Sequence, residues 1–180
     1  MIVLFGATGV TGKLIAKELI KANVPVRLVG RDERALQAIA GQSNFEIKTI
    51  DLQRPDTIKD ALDGATVAIN CVGPFGRYGL PIAKAVVKAG AHYLDTTGEQ
   101  DFISQLFGEL GEKALKQKVC LAPACAFEYA IADTLSAFAE LANPGTDSST
   151  CLNSTRGKRA SRNISAEPRR RPTNFGGTEQ

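Results

Sequence analysis

Short apolar runs rich in β-branched residues recur at 2–5, 24–29, 45–50, 66–72, 91–94 and 119–121. Their length and the breakers around them predict six strands. Between them the spacing turns helical. Ile15, Leu19 and Ala22 fall at i, i+4 and i+7, and Ile82 with Val86 and Ala83 with Val87 make a second stripe. Ile103, Leu106, Phe107, Leu110 and Ala114 make the cleanest stripe, and Ile131, Leu135, Phe138 and Ala142 mark a last helix. Each stripe predicts a face that covers a sheet. Strict alternation of strand and helix predicts an α/β fold, a Rossmann-type doubly wound parallel sheet. Asn23, Pro25, Gly41, Gly64 and Gly90 supply the breaks between elements. The pattern stops near Asn143. The chain therefore divides into a domain at 1–142 and a Thr/Ser/Arg/Pro/Gly-rich tail at 143–180, expected to be disordered for want of apolar surface to bury.

Composition and charge sharpen this picture in four ways. Hydrophobic residues make up 43% of the 180, enough for one ordinary core. No apolar run approaches the ~20 residues of a membrane span, and a strand-like run opens the chain where a leader's basic region would stand, so a cytoplasmic protein is expected. The net charge of +3 belongs to the tail: residues 1–142 carry 15 Lys and Arg against 16 Asp and Glu, and residues 143–180 carry 7 against 3. No aromatic residues interleave with Arg169-Arg170-Arg171, which reads as a solvated segment rather than a specific nucleic-acid site. Cys71, Cys120, Cys125 and Cys151 contain no Cys-x-x-Cys pair, and His92 is the sole histidine. Reduced, mostly buried thiols and no metal site are expected.

The first chemistry lies between the first strand and the first helix. Gly6-Ala7-Thr8-Gly9-Val10-Thr11-Gly12 places glycines at a G-x-x-G-x-x-G spacing, in the strand–loop–helix context that makes a dinucleotide-binding motif specific. Gly6 permits the tight turn, Gly9 a close approach of backbone N–H groups to a pyrophosphate, and Gly12 close packing of helix on strand. Unpaired N–H groups and a partial positive charge at the helix start favour phosphate. Thr8 and Thr11 add hydroxyls beside them.

The second strand bears on which dinucleotide. An NAD-specific domain places an acid about 20 residues after the glycines. Here the strand ends in Gly30-Arg31-Asp32, and the Arg31 fork suits a 2′-phosphate. NADP(H) is expected rather than NAD(H), with Arg34 one turn on to assist. Asp32 has two readings, ribose ligand or cap of a helix starting at Glu33. Asp51, after the third strand, also has two: acceptor for the adenine amino group, or turn cap. Cys71, Val72 and Gly73 follow the fourth strand, where such folds bring backbone against ribose and nicotinamide.

These segments, with Pro74-Phe75 and Tyr78-Gly79, His92-Tyr93-Leu94-Asp95, Thr97-Gly98-Glu99 and Pro123-Ala124-Cys125-Ala126-Phe127, resemble the NADP-binding domain of the saccharopine dehydrogenase-like family, in particular its trans-acting enoyl reductase branch. The resemblance covers residues 2 to about 140. It implies a Rossmann fold, NADP(H) and oxidoreduction of a small-molecule substrate by hydride transfer. Two departures stand out. Ala126 and Glu128 replace glycine and aspartate of a Gly-Phe-Asp run, and the basic tail stands where the family continues into a second α+β domain. No Tyr-x-x-x-Lys pair exists, since Ile82, Thr97 and Asp133 follow Tyr78, Tyr93 and Tyr129 at the fourth position. Asp95 and Glu99 remain as candidate acid–base groups or as loop and cap carboxylates, and Tyr93 and His92 read as packing and edge residues. Three functions stay open: an NADP-dependent oxidoreductase or its cofactor half, a non-enzymatic NADP(H)-binding or sensing module, and a truncated inactive relative. A homo-oligomer is compatible with each.

Overall fold

The computed structural model describes residues 1–41 and 43–142, so the expectation for the tail lies outside the described residues. Six parallel strands form one sheet: β1 (Ile2–Phe5), β2 (Val26–Gly30), β3 (Glu46–Thr49), β4 (Val67–Asn70), β5 (His92–Asp95) and β6 (Leu121–Ala122). Their spatial order is β3-β2-β1-β4-β5-β6. The chain thus moves outward from β1 first to one side and then to the other, which opens a crevice above the carboxyl ends of the central strands. In register, Phe5 pairs with Val29 on one side and Asn70 on the other, and Asn70 pairs with Asp95. The row Val29, Phe5, Asn70, Asp95 is the floor of that crevice.

Alternation along the strands sends successive side chains to opposite faces. Leu4, Val26 and Leu28 pack with Ala16 of α1 (Val10–Lys21) and Leu36 of α2 (Glu33–Ala40). Val3, Phe5 and Val29 pack on the other face with α3 (Pro55–Ala61), α4 (Phe75–Lys88) and α5 (Gln100–Gln117). The sheet is covered on both faces, as the alternating pattern predicted. At the α4–α5 contact Gly79 matters, because a Cβ there would lie 2.5 Å from the buried Phe102 ring. Phe75 and Phe102 meet beside it with centroids 5.8 Å apart.

Seven-residue α3, which the sequence reading did not single out, starts at Pro55 and buries Ile58 and Ala61. Two expectations need correction. The last helix, α6 (Phe127–Ala142), forms where expected, yet its stripe covers no sheet: Phe127, Ile131, Leu135, Phe138 and Leu141 are exposed. The reason is topological, since β6 is the edge of the sheet among the described residues and no strand follows for α6 to lie on. The thiols are free, but Cys71 is only half-buried and Cys120 and Cys125 are exposed, because the latter two flank the edge strand. Cys151 lies outside the described residues. No described helix is long and apolar enough to cross a membrane, and among the described residues no cluster of three His, Cys, Asp or Glu side chains is arranged to hold a metal.

Candidate dinucleotide site

The loop after β1 is fastened from both sides. Gly6 and Ala7 donate their N–H groups to the Val29 carbonyl at 3.0 and 3.3 Å. Gly6 sits at φ +75, and a Cβ on it would stand 2.9 Å from the backbone of Cys71. The glycine loop and the loop after β4 are therefore in contact at the crevice. Gly12 lets α1 lie against the loop: a Cβ would overlap the Gly6 carbonyl oxygen and stand 2.8 Å from Ala7 Cα.

Gly9 differs. Its φ of −73 and ψ of 171 suit any residue, and a Cβ on it would meet only the Gly6 carbonyl oxygen, at 3.4 Å. The protein itself makes little demand for glycine there. What glycine leaves is open space before the start of α1, whose first turn has no side-chain cap. The N–H groups of Val10, Thr11 and Gly12 have no acceptor among the described residues, and Val10 is 83% exposed. An uncapped helix start behind a cleared approach fits a pyrophosphate. Two other helix starts are filled by side chains: Asp32 Oδ1 accepts from Ala35 N–H at the head of α2, and Glu99 does the same for α4, whereas α3 and α5 also lack a side-chain cap.

Beyond the loop, a Cβ on Gly30 would lie 3.6 Å from Thr8 Cγ2, so the tip of β2 borders the phosphate side. Arg31 is exposed there and makes no hydrogen bond or ion pair among the described residues. Arg27, earlier on the same strand, is committed instead: its guanidinium reaches Glu46 at 2.7 Å and the carbonyls of Ala61 and Asp63. Asp32 takes the second of its two readings, as the cap of α2. Asp51 lies beside Gly30, whose carbonyl accepts from Ile50 N–H at 2.9 Å. Its Oδ1 accepts from Gln53 N–H, and Thr57 clamps its backbone.

On the other side of the crevice lies a buried polar network that the sequence did not announce. Asn70 is fully buried; its Oδ1 accepts from Val72 N–H at 3.0 Å and its Nδ2 donates to the Tyr93 hydroxyl at 3.1 Å. That pair shapes the Cys71–Gly73 exit. Asp95, also fully buried, accepts at Oδ1 from the N–H groups of Thr97 and Ala124, both at 3.0 Å, and its carbonyl accepts from Cys125 N–H. It thus pins the left-handed Ala124 (φ +57) and the segment leaving β6. Its Oδ2 has no hydrogen-bond partner. Burial raises the Asp95 carboxyl above its ordinary value, with the N–H bonds from Thr97 and Ala124 offsetting part of the effect. Burial likewise pushes the Tyr93 phenol up and the Cys71 thiol to about 11.

Glu99 is occupied as well. Its two carboxylate oxygens accept from Phe75 N–H at 2.7 Å and Gly76 N–H at 2.8 Å, capping α4 and tying it to the turn after β5. Tyr93 is core, as expected, whereas His92 opens the interior strand β5 rather than an edge, exposed at the start of the strand with its Nδ1 accepting from Cys120 N–H. The structure gathers the loop 6–12, Arg31, Asp51 and Cys71–Gly73 along one crevice and sets Asp95 beneath it as a brace. A cavity of about 760 Å³ opens elsewhere, between α5, β6 and the first turns of α6.

This geometry agrees with what the chain is similar to. Residues 2–148 match the family described as saccharopine dehydrogenase NADP binding domain. A trans-acting enoyl reductase of Mycobacterium ulcerans is 33% identical over 134 residues, covering 71% of this chain and 32% of that protein. The human saccharopine dehydrogenase-like oxidoreductase is 29% identical over 151 residues, covering 73% and 35%. Among solved structures, apo saccharopine dehydrogenase (L-Glu forming) of Saccharomyces cerevisiae superposes with a TM-score of 0.65 at 15% identity, over 78% of this chain and 31% of that one. That likeness shows the fold. The chain spans about a third of the length of the curated relatives it matches. With a family match across most of its length and a crevice built to admit a dinucleotide, this chain belongs to the saccharopine dehydrogenase NADP-binding domain family, whose dinucleotide is NADP(H).

Proposed function

We propose that the chain holds NADP(H) across the β1/β4 crevice and serves as the cofactor-binding half of an oxidoreductase that transfers hydride between NADPH and a small-molecule substrate. One observation carries this reading: the uncapped start of α1, with N–H groups of Val10, Thr11 and Gly12 open behind Gly9, lies on the same side as the unengaged Arg31. The three N–H groups receive the pyrophosphate, with the Thr8 and Thr11 hydroxyls beside them. Arg31 takes the 2′-phosphate bidentately, and Asp51 keeps one carboxylate oxygen for the adenine amino group. Cys71, Val72 and Gly73 form the wall against ribose and nicotinamide, held in place by Asn70. When bound, the nicotinamide donates or accepts the hydride. Titrating the protein separately with NADPH and NADH tests the reading, which expects the tighter constant for NADPH.

A second reading has its own support. Asp95 is sealed in the core and Glu99 spends both oxygens on α4, so both act here as positioning groups, and neither is poised to exchange a proton with a substrate. On that account the chain binds and senses NADP(H), and turnover needs groups supplied from beyond residues 1–142.

A further inference from the structure

Asp95 is a buried acid that cofactor binding, as described above, uses only as a brace. It closes the row Val29, Phe5, Asn70, Asp95 across the carboxyl ends of the strands. Cys71, directly after Asn70, begins the wall assigned to ribose and nicotinamide, and the Asp95 charge reaches its thiol: burial raises that thiol first, and the nearby carboxyl adds to the effect. Oδ1 accepts from the N–H groups of Thr97 and Ala124, while Oδ2 has no hydrogen-bond partner although the residue is fully buried. The titratable groups that face this carboxyl are Tyr93 on its own strand, Cys71 after β4, Glu99 at the head of α5 and Cys125 after β6, and none of them is a cation. Arg31 follows β2, with β1 and β4 between it and β5. An ionised Asp95 thus lacks a counter-charge of its own, and a positive charge in the crevice above would supply one.

The two redox forms of the dinucleotide differ in charge at the ring alone. The nicotinamide of NADP⁺ is a cation and that of NADPH is neutral, while the pyrophosphate, 2′-phosphate and adenine are common to both. We propose that Asp95 sets which form the crevice prefers: as a carboxylate it favours NADP⁺, and as a neutral acid it favours neither. This preference rests on the cofactor reading above and deepens it, because it gives the chain a means of telling the two forms apart. The coupling is reciprocal. A carboxylate draws the cationic ring, and the cationic ring draws the proton off the carboxyl. An opposite charge beside a carboxyl lowers its pKa by about one or more, which by linkage is about tenfold in affinity. Full burial matters here, since the charge of an exposed acid would be screened by water and salt. Burial also holds the Asp95 carboxyl above its ordinary value. The acid is therefore neutral at low pH, where it does not distinguish the two forms, and NADP⁺ gains as pH rises through the folded value.

The test is isothermal titration calorimetry of the full chain with NADP⁺ and with NADPH from pH 5 to pH 8, read as the ratio of the two dissociation constants. The ratio cancels titration of the 2′-phosphate, which both forms carry. It should move about tenfold toward NADP⁺ across that range, with protons released to the buffer as NADP⁺ binds. Asp95→Asn should hold the ratio flat. Glu99→Gln, which removes the other carboxyl facing Asp95, should keep the parent's slope. A parent ratio that ignores pH, a slope that survives in Asp95→Asn, or one lost in Glu99→Gln would each overturn the proposal. If Asp95→Asn does not fold, the parent's ratio and its proton release still decide. Both forms bound at a ratio independent of pH would leave the cofactor reading intact, whereas a chain that binds neither form would end both.

Discussion

Gly9 and Gly12 stand three residues apart in one loop, yet the structure assigns them opposite kinds of necessity. At Gly12 the obstacle is internal, since a Cβ would press on the Gly6 carbonyl and on Ala7 Cα, both backbone and both held by N–H bonds to the Val29 carbonyl. Gly12→Ala therefore overpacks the domain at a cost of about 3 kcal/mol, which lowers the melting temperature by roughly 10 °C at this size. At Gly9 the backbone is extended and the nearest atom to an added Cβ is at ordinary contact distance, 3.4 Å. Gly9→Val should melt within about 2 °C of the parent. Its branched side chain would instead fill the space before the open N–H groups of α1, removing one or two charge-assisted bonds of about 1.5–3 kcal/mol each, at least about tenfold in NADPH affinity. Differential scanning fluorimetry and fluorescence titration on both variants separate the two effects. A Gly9→Val protein that melts normally and binds NADPH like the parent would refute the assignment of the loop to the pyrophosphate.

Two further predictions concern the braces. Asp95 has a raised carboxyl in the folded state, so the folded chain binds the proton more tightly than the unfolded chain does. Stability from this group is present below the unfolded value near pH 4 and is lost as pH rises from there through the folded value. Asp95→Asn keeps an acceptor for Thr97 and Ala124 without that loss, and melts run at pH 5 and pH 8 should show the variant gaining on the parent at pH 8; an equal difference at both would remove the argument. Glu99→Ala strips the cap from α4 at about 1–2 kcal/mol, a fall of roughly 3–8 °C, with Glu99→Gln falling less. A Glu99→Ala protein as stable as the parent would mean the cap contributes nothing.

The fold was legible because each signal was local. Six apolar runs found six strands, although the ends shifted by a residue or two, and the glycine loop was readable from its context between strand and helix. Gly6 and Gly12 serve the roles their spacing implied, and capping of α2 was one of the two readings left open for Asp32. The Asn70–Tyr93 and Asp95–Ala124 links were not legible, since they join residues 23 and 29 positions apart through strand register. A lone Asn, Tyr or Asp carries no trace of such a partner. Glu99 was visible as a conspicuous acid, but its place at the α4 start depends on how the turn after β5 folds back. The exposed stripe of α6 misled for a related reason. Periodicity reports that a face is apolar and says nothing of what lies against it.

The central claim is that Arg31 stands free at the tip of β2 in order to hold the 2′-phosphate. The most direct test compares NADPH and NADH dissociation constants for the parent and Arg31→Ala. Arg31 caps nothing and pairs with nothing among the described residues, so its removal should leave the melting temperature unchanged. The account predicts that the parent prefers NADPH, and that Arg31→Ala weakens NADPH about ten- to a hundred-fold while NADH, which has no group there, changes little. A parent that prefers NADH, or equal losses for both dinucleotides, would contradict it.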